Sequence, residues 1–373
     1  LQQGRVTLEI LLPEEILKAP LAMELVLGHL YQTASPDNLV QTYWDGKHPP
    51  VFGLEIVSDG GKIHFYISTV RKKFKNMWEA QLYAQYPGVQ VLEAPDYTRL
   101  ISAKPEEWGI WGCDFKHTDK DPLPIKTYVE YGLDKVQKEP EQVDPLANLI
   151  EFMGSIGKGE YLWLQFIIRM HKGEKYGGKR TAKGKQYTWI DEAKELVDEI
   201  RKATRESYTD PATGEERPGF PNPTKGQSEK IAAIERNVSK QGFDTGARGV
   251  YIAKPEKFNP VMITHMISLF KPFSSEGWNG IRGSAWHMRF DDYPWEIFAS
   301  KVKASYSRKL VEAYRRRQFF YDPFAHGISQ NEAMVLSTEE LATVFHIPSH
   351  SVETPGLGRI QSATGEAPPN LPT

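Results

Sequence analysis

The sequence predicts an α+β fold in which two split β-α-β units follow one another, the second carrying extra helices. Residues 6–93 give the order β-α-β-β-α-β, with a turn at Asp59-Gly60-Gly61 whose residues tolerate the positive φ of a tight hairpin. The same alternation recurs approximately between residues 144 and 288. This order is that of a ferredoxin-like unit, in which two helices pack on one face of an antiparallel sheet. We therefore expect two ferredoxin-like units in tandem.

The elements of the first unit are recognisable from their apolar patterns and end signals. Pro20 lies in the first turn of a predicted helix, where its missing N–H is not needed, and Pro87-Gly88 ends the second helix. The predicted elements are strand 6–12, helix 20–32, strands 51–58 and 62–70, helix 73–86 and strand 89–93. We expect this unit to occupy residues 1–127, with a linker at 128–143.

Caps mark two helices of the second unit. Asp144-Pro145 and Asn259-Pro260 each place a capping side chain before a proline in the first helical turn. The predicted elements are helix 144–156, strand 161–170, helices 189–207 and 225–240, strand 247–254, helix 259–270 and strand 280–288. We expect this unit to occupy residues 144–293, with the two long helices as an insertion.

A closing segment is expected at residues 294–353. It contains a helical stretch at 301–317, a short strand at 333–336 and a capping box at Ser337-Thr338-Glu339-Glu340. Residues 354–373 are rich in Pro, Gly and small polar residues, which is typical of an interdomain linker. The chain also begins without methionine. We expect that a segment has been removed upstream, and that the linker leads to a domain beyond residue 373, with 337–348 as the hinge.

Composition narrows the class of protein. The net charge of −2 argues against a general nucleic-acid coat or a polybasic membrane-surface protein. The single cysteine, Cys113, excludes an internal disulfide and suits a reducing compartment. No apolar run approaches the ~20 residues that span a bilayer.

The patterns that carry catalysis are missing from the sequence. Five Gly-Lys pairs occur, but none is followed by the Ser or Thr that a phosphate-binding loop needs for Mg²⁺. His346 and His350 have the spacing of two metal ligands on a helix, but Pro348 lies between them and interrupts that face. We therefore expect no catalytic residue, no cofactor and no metal site.

Two basic segments are the candidates for binding. The first is a loop in which only Glu174 offsets the positive charge, and the second is the end of the helix at 301–317. Their cations are Lys172, Lys175, Lys179, Arg180, Lys183 and Lys185 in the loop, and Arg315, Arg316 and Arg317 at the helix end. Such groups bind nucleic-acid phosphates or anionic lipid, and a solvated loop without a ligand is the third alternative.

Three stretches resemble the amino-terminal region of conjugation or type IV secretion-like ATPases, of the kind common in small-genome, uncultivated bacterial lineages. The stretches are 6–12 with 20–24, 144–146 with 159–165, and 336–348. The third is the most specific, and the resemblance extends to the tail at 365–369. It implies an α/β domain that is often preceded by membrane-spanning helices and followed by a P-loop motor domain.

The resemblance also implies a non-catalytic function for this part of the protein. Because the catalytic residues of that family lie in the motor, none is transferred to this chain. We expect a non-catalytic assembly or scaffold domain, cytoplasmic at the inner face of a bacterial membrane, and homo-oligomeric in the full assembly. Its expected partners are the motor domain of the same protein and membrane-embedded secretion subunits. The alternative is a nucleic-acid-binding module that uses the loop at 172–185.

Overall fold

The structure, a computed structural model, describes most of the chain and twelve strands within it. The described residues are 4–13, 19–31, 50–69, 72–102, 104, 106–134, 143–209, 216–285, 298–320, 333–349, 354 and 356–360. The strands are β1 Val6–Pro13, β2 Phe52–Asp59, β3 Lys62–Thr69, β4 Gln90–Ala94, β5 Gly109–His117, β6 Glu160–Met170, β7 Arg205–Thr209, β8 Glu216–Pro221, β9 Gly242–Ala253, β10 Ile281–Ala285, β11 Met334–Ser337 and β12 Arg359–Ile360.

The same residues contain eight α-helices. They are α1 Leu21–Leu30, α2 Lys72–Gln85, α3 Pro145–Gly154, α4 Trp189–Ala203, α5 Lys225–Ser239, α6 Val261–Ile267, α7 Ala299–Arg316 and α8 Thr338–Val344. Two caps predicted from the sequence are confirmed. The Asp144 carboxylate accepts from the Leu146 N–H at the start of α3, and Ser337 and Glu340 form the reciprocal capping box of α8.

Ten of the strands form one sheet, which confirms the α+β class. Their order is β10-β5-β9-β6-β2-β3-β1-β12, with β11 beside β9 and β4 beside β1. All pairs are antiparallel except β1 with β12. The two halves of the sequence do not form separate sheets, because β2 pairs with β6 from Phe52 opposite Ile168 to Asp59 opposite Tyr161.

Strand β5 was not predicted, and it changes the division of the chain. It lies within residues 1–127 but pairs with β9 and β10, so the sheet does not follow the predicted boundary at 127. Two glycines, Gly109 and Gly112, lower the strand propensity of this segment. Gly112 is required for packing, since a Cβ there would lie 2.5 Å from Leu310 of α7 and 2.7 Å from the Gly249 carbonyl oxygen.

The described parts of the two predicted linkers are folded. Tyr128 and Leu133 are buried, and the Tyr128 N–H donates to the Thr343 hydroxyl at 3.0 Å. Near the C-terminal end, Leu357 is buried, the Gly356 carbonyl accepts from Ile63 N–H at 2.8 Å, and β12 pairs with the end of β1. These residues belong to the domain, and 361–373 lie outside the described residues.

The two faces of the sheet differ because successive side chains in a strand point to opposite sides. On the first face, apolar side chains of six central strands pack against α1, α2, α3, α6 and α8 in the main core. On the second face, α7 contributes Leu310, Ala313 and Tyr314 to a smaller core with Trp163 and Val250. This second face also carries the charged side chains described below.

The two inserted helices, α4 and α5, have a small core of their own. Ala193 and Val197 of α4 pack against Ile231 and Ile234 of α5, and Leu123 joins them from the segment after β5. Among the described residues, strands β7 and β8 form a separate two-stranded sheet. None of the described helices combines the length and the apolarity needed to cross a membrane.

Candidate functional site

The basic loop connects β6 to α4 and is closed at its base by a histidine. His171 Nδ1 lies 2.6 Å from Asp244 Oδ1 on β9, and His171 Nε2 accepts from the Trp189 N–H of α4 at 3.3 Å. An Nε2 that accepts leaves the proton on Nδ1, which donates to Asp244. The ends of the loop are therefore held together on the sheet.

Two of the six loop cations, Lys175 and Lys179, pair with carboxylates outside the loop. Lys175 contacts the buried Asp121, and Lys179 Nζ lies 3.6 Å from Glu195 and 3.6 Å from the centre of the Tyr187 ring. Lys172 is half-buried. The Arg180 side chain is exposed and donates to the Gly184 carbonyl at 2.9 Å, which tightens the turn.

The turn at the end of the loop carries three exposed cations. They are Arg180, Lys183 and Lys185, and no carboxylate of the described residues lies within ion-pair distance of them. Backbone bonds fix the turn, with Gly184 N–H donating to the Thr181 carbonyl and Thr181 N–H to the Lys185 carbonyl, both at 2.8 Å. We call this group the basic turn. It is the part of the loop that faces solvent.

The two tyrosines of the loop are used for packing. The Tyr176 hydroxyl donates to Glu192 at 2.7 Å and the Tyr187 hydroxyl to Glu195 at 2.8 Å, both on α4. Burial and these carboxylates raise the pKa of both phenols far above the ordinary value. Neither ring therefore stands free in solvent for stacking on a nucleic-acid base.

The prediction for the three arginines at the end of α7 is wrong for Arg317. Arg316 is exposed and pairs with Glu312, while Arg315 donates to the Thr98 and Ile101 carbonyls at 3.1 and 2.9 Å. The Arg317 side chain is fully buried, with Nε donating to Glu55 at 2.9 Å and Nη1 to Asp96 at 2.6 Å. Its backbone has a left-handed φ of 52°, at the residue that ends α7.

The Glu55 carboxylate belongs to a polar row that crosses the second face of the sheet. Cross-strand pairing places the members side by side on β5, β9, β6, β2, β3 and β1. In that order they are Asp114, Arg248, Gln165, Glu55, Tyr66 and Glu9. Sequence analysis missed this row, although single polar residues inside apolar strands, such as Gln165 in β6, are its signal.

Each buried charge at the centre of the polar row has an opposite charge against it. Arg248 Nε donates to Asp114 at 2.8 Å, and Glu55 accepts from Arg317 Nε at 2.9 Å and also from the neutral Gln165 amide at 2.8 Å. Asp96 is buried enough to oppose its ionisation, yet the hydrogen bonds and charge of Arg317 outweigh burial and lower the pKa of this carboxyl. The row is therefore a structural network that fixes α7 and the segment around Asp96 on the sheet.

Helix α8 is a second polar centre, and every one of its seven residues is buried. Glu339 accepts from Thr127 Oγ1 at 2.5 Å and lies 3.1 Å from Arg236 and 2.7 Å from Lys240 of the α5 end. Glu340 accepts from the Ile125 N–H at 3.0 Å, and burial raises the pKa of this carboxyl to about 7. A helix held from several sides does not fit the predicted hinge at 337–348.

The end of α8 is tied to the start of α3 by a buried ion pair. His346 Nε2 lies 3.0 Å from Asp144 Oδ2, and His346 Nδ1 lies 2.8 Å from the Ala342 carbonyl oxygen. Burial disfavours the charged imidazole, but Asp144 outweighs it and raises the pKa of His346. Burial likewise opposes ionisation of Asp144, and His346 outweighs it and lowers the pKa of that carboxyl. Both ring nitrogens of His346 face acceptor oxygens, as in the charged imidazole, while His350 lies outside the described residues.

The described residues contain no group of three or more His, Cys, Asp and Glu placed to hold a metal ion. Their strongest features are two buried polar centres and exposed cations on the basic turn and on α7. This arrangement fixes the relative positions of distant surface groups.

Comparison with known protein families places the chain in a family. The family model described as a domain of unknown function, DUF8128, matches residues 39–358, which is most of the chain. No curated protein matches the chain. The matched region includes β2 to β11, the basic loop, the polar row from Asp114 to Tyr66 and α8. The chain therefore belongs to the DUF8128 family of domains of unknown function.

Proposed function

We propose that the chain is a non-catalytic assembly domain of a type IV secretion-like or conjugative DNA-transfer ATPase. The observation that carries the proposal is the joining of both halves of the chain in one ten-stranded sheet, held by α8 on one face and α7 on the other. Such a body keeps its surfaces at fixed distances, which suits a domain that positions neighbours. The resemblance of residues 336–348 to the pre-motor region of these ATPases supplies the class of assembly.

The proposal includes two ferredoxin-like units joined edge to edge. Strands β1 to β4 pair in the order β4-β1-β3-β2, with α1 and α2 as the connecting helices. Strands β5, β6, β9 and β10 pair in the corresponding order β10-β5-β9-β6, with α3 and α6 in the corresponding connections. The pair of β2 with β6 then joins the second strand of each unit, and α4, β7, β8 and α5 are an insertion in the second hairpin.

The partners in this proposal are a P-loop motor domain of the same protein, further copies of the chain and membrane-embedded secretion subunits. Its place is the cytoplasmic side of a bacterial membrane. The test is size-exclusion chromatography with light scattering, together with pull-down of the motor domain and membrane subunits by the purified chain. We expect a stoichiometric complex with at least one of them. A chain that stays monomeric and retains no partner contradicts the proposal.

A nucleic-acid-binding module is the second candidate, favoured by the exposed cations of the basic turn. Because Tyr176 and Tyr187 are engaged with α4, this site fits phosphates and not bases, so binding is independent of sequence. Three cations predict a slope of about −3 for log K against log salt on duplex DNA.

Fluorescence anisotropy with labelled single-stranded and duplex DNA tests this candidate. The charge-reversal variant is Arg180→Glu, Lys183→Glu and Lys185→Glu, and the matched control reverses Lys301, Arg308 and Lys309 of α7, which changes the net charge equally. We expect binding to be lost only in the first variant. Equal loss in both, or affinity without a salt dependence, excludes the basic turn as the site.

A further inference from the structure

Helix α7 lies on the second face of the sheet and is strongly basic, although the whole chain has a net charge of −2. Its eighteen residues contain six Lys or Arg and one carboxylate, Glu312. The buried side of the helix carries Leu310, Ala313 and Tyr314, which are packed against the sheet. The charge is therefore concentrated on the side that faces solvent.

The outward cations form one stripe along α7. Lys301, Arg308, Lys309 and Arg316 are all exposed, and at about 100° per residue they fall within an arc of about 100°. At about 1.5 Å per residue the stripe is roughly 22 Å long. Arg316 pairs with Glu312, whereas the described residues place no carboxylate within ion-pair distance of the other three.

Two large apolar side chains are exposed near the two ends of α7. Phe298, which precedes the first turn of α7, is 64% exposed and lies on the side of Lys301, whose Nζ is 5.8 Å from the ring centre. Leu100 is 74% exposed and belongs to the segment whose carbonyls, those of Thr98 and Ile101, bind Arg315 in the last turn. Phosphates of nucleic acid would attract the cations but gain nothing from an aliphatic side chain such as Leu100.

We propose that the α7 stripe, with Phe298 and Leu100, is a contact surface for an anionic lipid bilayer. Surface cations are attracted to anionic headgroups, and aromatic and aliphatic side chains beside them enter the boundary between headgroups and acyl chains. The chain lies on the membrane in this arrangement and does not enter it. The inference is independent of the assembly proposal, because vesicle binding needs no other subunit.

Vesicle co-sedimentation of the full chain tests this inference. The vesicles are phosphatidylcholine alone and phosphatidylcholine with about one third phosphatidylglycerol, at low and high salt. We expect binding to the anionic vesicles only, weakened by salt. The variant Lys301→Glu, Arg308→Glu, Lys309→Glu should bind roughly 100-fold more weakly, since three cations are lost. The basic-turn variant, with the same change of net charge, should bind as the unchanged chain does.

A second pair of variants separates the apolar contribution from the charge. Phe298→Ser with Leu100→Ser should weaken binding roughly 10-fold while leaving its salt dependence unchanged. If the variant with Glu at positions 301, 308 and 309 does not fold, a neutral variant with Gln at the same three positions replaces it.

Three results overturn the proposal. The first is equal binding to neutral and anionic vesicles. The second is a loss of vesicle binding in the basic-turn variant that is as large as in the α7 variant. The third is duplex DNA binding that depends on α7, without any vesicle binding.

Discussion

Replacing Arg317 with alanine is expected to lower the free energy of unfolding by about 3–5 kcal/mol. The Glu55 carboxylate and the Arg317 side chain are both fully buried, and removal of the guanidinium leaves Glu55 with hydrogen bonds but no opposite charge at contact distance. Asp96 loses its partner as well. The left-handed φ at this position costs about 1 kcal/mol, so the ion pairs more than offset the strain. Urea denaturation followed by circular dichroism measures the loss.

The matched control is Arg316→Ala, one residue earlier on the exposed side of α7. Arg316 pairs only with Glu312 in solvent, so its removal should change the stability by no more than about 0.5 kcal/mol. The double variant Arg317→Met with Glu55→Gln should recover much of the loss, since the buried charge at Glu55 is removed together with its partner. If Arg317→Ala lowered the free energy of unfolding as little as Arg316→Ala, the structural role of the Arg317–Glu55 pair would be refuted.

Asp144→Asn is expected to lower the free energy of unfolding by about 3 kcal/mol near neutral pH. Asparagine preserves the cap of α3, so the loss reports on the buried ion pair with His346. The folded pKa of His346 is raised, so its contribution is complete below the unfolded pKa and is lost as the pH rises through the folded value. The folded pKa of Asp144 is lowered, so its contribution is lost as the pH falls through that value.

Chemical denaturation at about pH 6 and about pH 9 tests the sign of the His346 contribution. The unchanged chain should lose stability between these pH values, and Asp144→Asn should lose much less. His29 is exposed and bonds only to the Leu25 carbonyl, so His29→Gln is the control and should leave the pH dependence intact. A pH dependence that is the same in all three proteins would show that His346 is not a buried cation.

Local signals predicted the elements that depend on neighbouring residues. The capping box at Ser337 and the Asp-Pro pair at Asp144 are made within one turn, so their geometry follows from the sequence. The hairpin of β2 and β3 is confirmed for the same reason, because it turns at Gly60 and Gly61, both with positive φ.

Long-range pairing was not predictable from these signals. Strand β5 contains two glycines that lower its propensity, but Gly112 fits under α7 and Gly109 fits against Phe258, which only the folded chain shows. The pairing of β2 with β6 depends on the register of strands about a hundred residues apart, which no local pattern specifies.

Charge in the sequence showed where cations occur but not which way they face. Lys175 and Arg317 look like their neighbours in the sequence, yet each contacts a buried carboxylate. The exposed cations of α7 became visible as a stripe only after the buried side of the helix was known. Candidate binding residues are therefore fewer in the loop, and more numerous on α7, than the sequence predicted.

Because β2 pairs with β6, we expect the two halves of the chain to behave as one rigid body. Native-state hydrogen exchange of the amides in these two strands measures whether they do. The structure predicts that the β2–β6 amides exchange with the same free energy of opening as the amides between β6 and β9. Both sets of amides should therefore exchange only through global unfolding. Exchange of the β2–β6 pair at a clearly lower free energy, while each half stays protected, would contradict it.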